Sequence, residues 1–334
     1  PYLSHQLKRF MPSQAIRDEH ALLKAALAAR GAWAAPETAA VEAVLAVSTA
    51  SSEQRDAVRH MLGPDGVCVA EGAAGTGKTH VLKLLRDILI ADRRQVLVAA
   101  PAWRAARLAG QEARVALADA LALDPLAVEI REGTRVIDRN TVIVVDEAGM
   151  AGLRDLQTLV EAVTAAGAKL ILTGDTRQLQ PIARGAPMRA LIDLLGSHRL
   201  NQIRRQGLEW MCEASTQFAA GDASAGLARY DEAGAVAVHR DRETTLAACA
   251  RSYLDDPSRA EPGWSTQALA RRLLIAVRNE DVAELNRRVR QILIQDGLLG
   301  ETAIFVDAVG RGGGDPVPVE LRVGDRVMFG RRLR

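Results

Sequence analysis

One stretch limits the fold of this chain more than any other. Val67-Cys68-Val69-Ala70 is an apolar run, Gly72 to Thr79 has the spacing G-x-x-x-x-G-K-T, and Val81 to Ile90 is patterned as a helix. A glycine turn between strand and helix lets backbone N–H groups converge on an anion where side chains would collide. The start of the helix adds partial positive charge. Such a loop cradles phosphate: Gly72, Gly75, Thr76 and Gly77 shape the turn, Lys78 reaches the β- and γ-phosphates, and the Thr79 hydroxyl holds Mg²⁺. A chance glycine turn would not be expected to carry both a strand before it and a helix after it. The expectation is an α/β fold with a parallel sheet around a nucleotide site.

A second signal agrees with the first. Thr141 to Val145 is apolar throughout and runs into Asp146-Glu147-Ala148. A strand buried on both faces delivers carboxylates to its C-terminal edge in this way. Asp146 then enters the Mg²⁺ shell, and Glu147 orients and deprotonates an attacking water. The plain alternative is that Asp-Glu caps the next helix. Leu170 to Thr173 forms another apolar strand, followed by Gly174-Asp175-Thr176-Arg177-Gln178, where Gln178 is placed to sense a γ-phosphate. Further on, Ile203-Arg204-Arg205-Gln206 offers Arg205 as an arginine finger, with Arg204 as its neighbour and a surface pair as the plain reading.

Other positions carry two readings each. Gln54, at Ser51-Ser52-Glu53-Gln54, completes a capping box with Ser51, or its amide meets an adenine edge and selects ATP. Gln95 to Ala100 is a strand, and Pro101-Ala102-Trp103-Arg104 then opens a helix. Trp103 either packs on the core or stacks a base of single-stranded nucleic acid while Arg104 meets phosphate. Leu273 to Val277 and Ala235 to Val238 read as strands. Arg278 and Asn279 follow at a strand-to-helix junction, with Asn279 as N-cap or both facing a phosphate. Helices are expected over 21–30 and 37–47, residues 111–140 are poorly marked, and Val317 to Phe329 alternates like a small β-hairpin.

Composition bounds the rest. The chain has 334 residues, enough for two or more domains, with 48% hydrophobic and 25% charged residues and a net charge of +2. That charge does not by itself argue for nucleic acid. Cys68, Cys212 and Cys249 lack metal-ligand spacing, and their odd number fits a reducing cytoplasm. No apolar stretch is long enough for membrane insertion, and no signal peptide is visible.

In this order, Gln54, Gly72–Thr79, Pro101–Arg107, Asp146–Met150, Gly174–Ile182 and Ile203–Gln206 resemble the motifs of superfamily 1 helicases of the 5′→3′, RecD-like class. Val144–Met150, Ile203–Gln206 and Val323-Gly324-Asp325-Arg326-Val327 resemble the helicase portion of TraA-type conjugative relaxases. The resemblance implies a RecA-like P-loop domain with a parallel sheet over 51–206, preceded by a helical segment over 1–50. It further implies part of a second RecA-like domain over 207–316 and the start of a small β insertion over 317–334. It implies ATP and Mg²⁺ as cofactors, with single-stranded DNA and other conjugation-machinery proteins as partners. Lys78, Thr79, Asp146, Glu147, Gln178 and Arg205 match the catalytic motifs. Ala102-Trp103 departs from the small hydroxyl residue common among relatives. The family's last two motifs and its nuclease domain do not occur in this stretch, so the second expectation is a truncated nucleotide- and DNA-binding scaffold with little turnover. A small-molecule kinase leaves Gly174–Pro181 and Ile203–Gln206 without a role.

Overall fold

A computed structural model describes residues 13–72, 77–176, 185–200, 208–255, 272–309 and 315–327, together with the backbone of 2–4 and 9–11. Strands β1 (Tyr2–Ser4) and β2 (Arg9–Met11) pair antiparallel. Helix α1 (Ser13–Ala28) begins well before the predicted start, and α2 (Thr38–Val47) falls where expected. Helix α3 (Ser52–Met61) opens with the predicted capping box. Ser51 Oγ accepts from the Gln54 N–H at 3.3 Å, and Gln54 Oε1 accepts from the Ser51 N–H at 3.1 Å.

The alternation that follows is β3 (Val67–Gly72), α4 (Lys78–Ala91), β4 (Gln95–Ala100), α5 (Trp103–Glu112), β5 (Ala120–Ala122), α6 (Leu123–Arg131), β6 (Thr141–Val145), α7 (Leu153–Ala166), β7 (Lys169–Gly174), α8 (Pro187–Leu195) and β8 (His198–Leu200). The six strands from β3 to β8 make one parallel sheet in the order β5-β4-β6-β7-β3-β8. Its strands are apolar at nearly every position because both faces are covered. Val69, Leu97, Ile143 and Leu172 point to one face and meet Leu22 of α1, Leu126 of α6, Leu159 of α7 and Leu191 of α8. Cys68, Val98, Val144 and Ile171 point to the other and meet Leu45 of α2, Val58 of α3 and Leu85 of α4.

The poorly marked stretch 111–140 holds an edge strand and a helix that the sequence does not announce. Strand β5 is Ala-Leu-Ala, too short and too weak in β propensity to be read. Pro125 sits in the first turn of α6, where its missing N–H costs nothing. Gly110 lets α5 lie close on β5, since a Cβ there would stand 2.4 Å from the Ala120 Cβ.

Helices α9 (Glu209–Ala219) and α10 (Ala223–Glu232) form a hairpin through Gly221, which has φ +86°. They complete a first compact unit, Pro1–Ala233; the second is Gly234–Arg334. The sequence reading puts the division earlier, at 206.

The second unit contains α11 (Arg242–Leu254), α12 (Asn279–Gln295) and an antiparallel pair, β9 (Ala303–Ala308) and β10 (Val317–Arg322). Three expectations are corrected here. Residues 235–238 are not a strand. Residues 273–277 are not one either: Leu274 and Ala276 pack with α11 and α12 while Leu273, Ile275 and Val277 stand exposed, and no described residue offers a ladder partner. Residues 317–322 pair back with β9, and 326–327, the described part of the expected second arm, are not a strand. Arg290 fixes that arrangement by binding Asp325 at 2.9 Å and Glu320 at 3.3 Å.

Candidate functional site

The site is built where β3 and β6 end. Gly77 has φ +83°, a left-handed conformation that suits glycine. Any Cβ there would also come 2.4 Å from Gln54 Nε2. Gln54 is buried, so its amide forms the floor of the turn while its Oε1 serves the capping box. From Gly77 the chain enters α4. The Lys78 side chain is only 14% exposed, and among the described residues its Nζ has no hydrogen-bond partner; the nearby carboxylate is Glu147, at 3.9 Å. A buried cation without a hydrogen bond, at the head of a 14-residue helix, is what an anionic ligand would complete.

The carboxylates come from the next strand but one. The Asp146 N–H donates to the Ala99 carbonyl at 2.8 Å, and Thr173 Oγ1 donates to Asp146 Oδ1 at 2.8 Å. These bonds aim Asp146 from the end of β6. Glu147 has φ +54°, a strained setting for a residue with a side chain and one that clusters at working sites. The turn after it passes over β7 because Gly174 is bare: a Cβ there would lie 3.1 Å from the Ala148 and Gly149 nitrogens. Thr79 Oγ1 donates to Glu112 Oε2 of α5 at 2.8 Å. Donating its proton leaves the Thr79 oxygen its lone pairs.

The structure therefore gathers Gln54, Gly72, Gly77, Lys78, Thr79, Asp146 and Glu147 around the ends of β3 and β6. Gly75, Thr76, Gln178 and Arg205 lie outside the described residues. At the end of β4, Pro101 is half-buried, Trp103 is 50% exposed and Arg104 is exposed on the first turn of α5. Trp103 is thus not a core residue. Arg278 and Asn279 belong to the second unit. Asn279 is the first residue of α12 rather than its N-cap, which is Arg278, and the Arg278 side chain makes no cap bond but pairs with Glu280 at 3.2 Å. Sequence reasoning passes over Glu71, Glu112, Thr173 and Thr176. Only Glu71 carries a visible signal, as a charge within an apolar strand.

A parallel sheet covered on both faces, with a glycine turn leading from an inner strand into a helix and a nearby strand ending in Asp-Glu, defines a RecA-like P-loop domain. The family model described as "AAA domain" matches residues 49–241, and the chain belongs to that family. It is 31% identical over 314 residues to the conjugal transfer protein TraA of Agrobacterium fabrum, across 92% of this chain and 27% of that protein. It is 31% identical over 156 residues to the ATP-dependent RecD2 DNA helicase of Deinococcus radiodurans, across 46% of this chain and 22% of that protein. The chain thus spans about a quarter of the length of these relatives. Among solved structures it is similar to Bacteroides sp Pif1 in complex with ADP-AlF4, at 16% identity and a TM-score of 0.42, over 82% of this chain and 63% of that one.

Proposed function

We propose that this chain is the ATP-hydrolysing motor portion of a conjugative DNA-transfer helicase, working on single-stranded DNA. The observation that carries the reading is the buried Lys78 Nζ, without a hydrogen bond among the described residues, beside Glu147 and at the head of α4. The likeness to TraA supports the conjugative setting, with other conjugation proteins as partners and the cytoplasm as location. No described helix is long and apolar enough to cross a membrane.

In this reading Gly72, Gly75, Thr76, Gly77 and Lys78 bind the phosphates, and Gln54 borders the adenine. Thr79 and Asp146 would hold Mg²⁺, which supplies charge neutralisation on the phosphates when bound. Glu147 takes a proton from the attacking water. Gln178 reads the γ-phosphate, and Arg205 stabilises charge in the transition state. Pro101, Trp103 and Arg104 meet the DNA strand at the edge of the first unit, and Arg278 and Asn279 add contacts from the second. Residues 1–50 lead into the first RecA-like domain, which with α9 and α10 completes the first unit at Ala233; the second unit, from Gly234, would hold part of a second RecA-like domain and, over 317–334, the start of an insertion.

The deciding experiment is steady-state ATP hydrolysis with and without a single-stranded oligonucleotide. Turnover stimulated by DNA is the expected result. Nucleotide binding without turnover would assign a scaffold instead, and no nucleotide binding would overturn the reading. Trp103→Ala is expected to weaken oligonucleotide binding by roughly 5- to 100-fold, the loss of one base stacked on an aromatic ring. Fluorescence anisotropy at fixed salt checks this, and affinity within twofold of the unsubstituted protein would remove Trp103 from the DNA path.

A further inference from the structure

Glu71 stands where a strand of this kind has no need of charge. It lies in β3 directly before Gly72, between β7 on one side, where its register partner is Gly174, and β8 on the other, where its partner is Arg199. The side chain is largely buried, and its carboxylate is fully engaged. Oε2 accepts from Thr176 Oγ1 at 2.9 Å, while Oε1 accepts from Ser197 Oγ at 2.6 Å and from Arg199 Nε at 3.0 Å. Burial pushes the Glu71 carboxyl upward, but the hydrogen bonds from Ser197, Arg199 and Thr176, with the Arg199 charge, outweigh it and hold the group below the ordinary carboxylate range.

The partners matter more than their number. Thr176 sits just past β7, on the chain leading to Gln178. Its carbonyl also accepts from Arg189 of α8 at 3.3 Å. Ser197 and Arg199 sit at β8, on the chain leading to Arg205. Strand β8 is three residues long and, among the described residues, pairs in the sheet only with β3, so its backbone ladder is a weak anchor. The Arg199 side chain is 67% exposed, and an ion pair that open contributes little. The restraint therefore comes chiefly from the two hydroxyl bonds to a buried carboxylate, which are short and charge-assisted.

We infer that Glu71 is a positioning residue: one carboxylate, joined by the backbone to the phosphate turn, sets where the chain leaves β7 and where it enters β8. The inference rests on the ATP reading above, because that reading gives both places their importance. A small displacement of groups that meet a reacting phosphate costs rate far more than it costs affinity.

The test compares Glu71→Gln, Thr176→Val and the double variant with the unsubstituted protein. Three quantities are read: kcat for DNA-stimulated ATP hydrolysis, Kd for a fluorescent ATP analogue, and Tm. Glu71→Gln keeps the shape and removes the charge. Measured below the onset of unfolding, kcat is expected to fall about tenfold or more with Kd changed less than about threefold, and Tm to drop only a few degrees. We also expect the double variant to be no slower than Glu71→Gln alone, since both changes cut one tie. An unchanged kcat, or losses of kcat that follow Tm and add across the double variant, would overturn the positioning role while leaving the ATP reading intact. An unsubstituted protein that does not bind the analogue would overturn both.

Discussion

Glu147→Gln is expected to lower ATP turnover by about 10²- to 10⁴-fold while leaving nucleotide binding in place, and Lys78→Ala to abolish binding and turnover together. The contrast follows from the geometry. Glu147 is held in a left-handed conformation at the end of β6, with Oε1 3.9 Å from Lys78 Nζ. Glutamine preserves its size and hydrogen-bonding reach but cannot take a proton from water, and general-base removal carries a cost of that order. It also removes the negative charge next to Lys78, so phosphate affinity should hold or rise. Lys78 is different in kind. Its Nζ is buried with no hydrogen bond among the described residues and only the Glu147 charge nearby, so a bound phosphate would supply the hydrogen bonds it lacks. Single-turnover hydrolysis and titration with a fluorescent ATP analogue separate the two variants. Turnover in Glu147→Gln within threefold of the unsubstituted protein would take the base role from Glu147; undiminished binding in Lys78→Ala would move the phosphates elsewhere.

The nucleotide half of this site was legible because its determinants are local. Gly77, Lys78 and Thr79 are fixed by their order around one turn, and Asp146-Glu147 by the end of one apolar strand. The strands of the parallel sheet were legible for the same reason: β3, β4, β6 and β7 are buried on both faces, which leaves runs such as Val-Ile-Val-Val in the sequence. What escaped was non-local. Strand β5 exists because α5 and β4 hold it, and nothing in Ala-Leu-Ala shows this. Glu112 reaches Thr79, and Thr173 reaches Asp146, across separations that no spacing rule covers. The misreadings in the second unit have the reverse cause. Residues 273–277 are a short continuous apolar run, the pattern of a buried strand, but such a run does not specify a hydrogen-bonded neighbour. Val319 and Leu321 lie in a strand as read, but its described partner is β9, far back in the sequence, and no local spacing points to it.

Lys169→Met is expected to destabilise the first unit by about 2–4 kcal/mol, the cost of losing two charge-assisted hydrogen bonds from a buried ammonium. Lys169 opens β7 and is fully buried. Its Nζ donates to the Gly63 carbonyl at 2.9 Å and the Asp65 carbonyl at 2.5 Å, and lies 4.9 Å from the centre of the Trp33 ring. The 63–66 turn it holds is a junction: the Trp33 N–H donates to the Pro64 carbonyl at 2.9 Å, the Gly66 N–H to the Ala29 carbonyl at 2.7 Å, and the Leu170 N–H to the Gly66 carbonyl at 2.7 Å. One side chain thus fastens the chain after α1, the turn before β3 and the start of β7. Replacing a buried charge by an apolar group is often neutral when its partners are replaced as well. Here the partners are backbone carbonyls that cannot be removed, so methionine fills the volume and leaves the bonds unmade. For a unit of this size the expected fall in Tm is about 5–15 °C. Calorimetry of the chain should show it in the first unit's transition, with nucleotide affinity measured below that transition unchanged. A shift under about 2 °C would mean that the turn is held by its backbone bonds and that Lys169 is buried for packing alone.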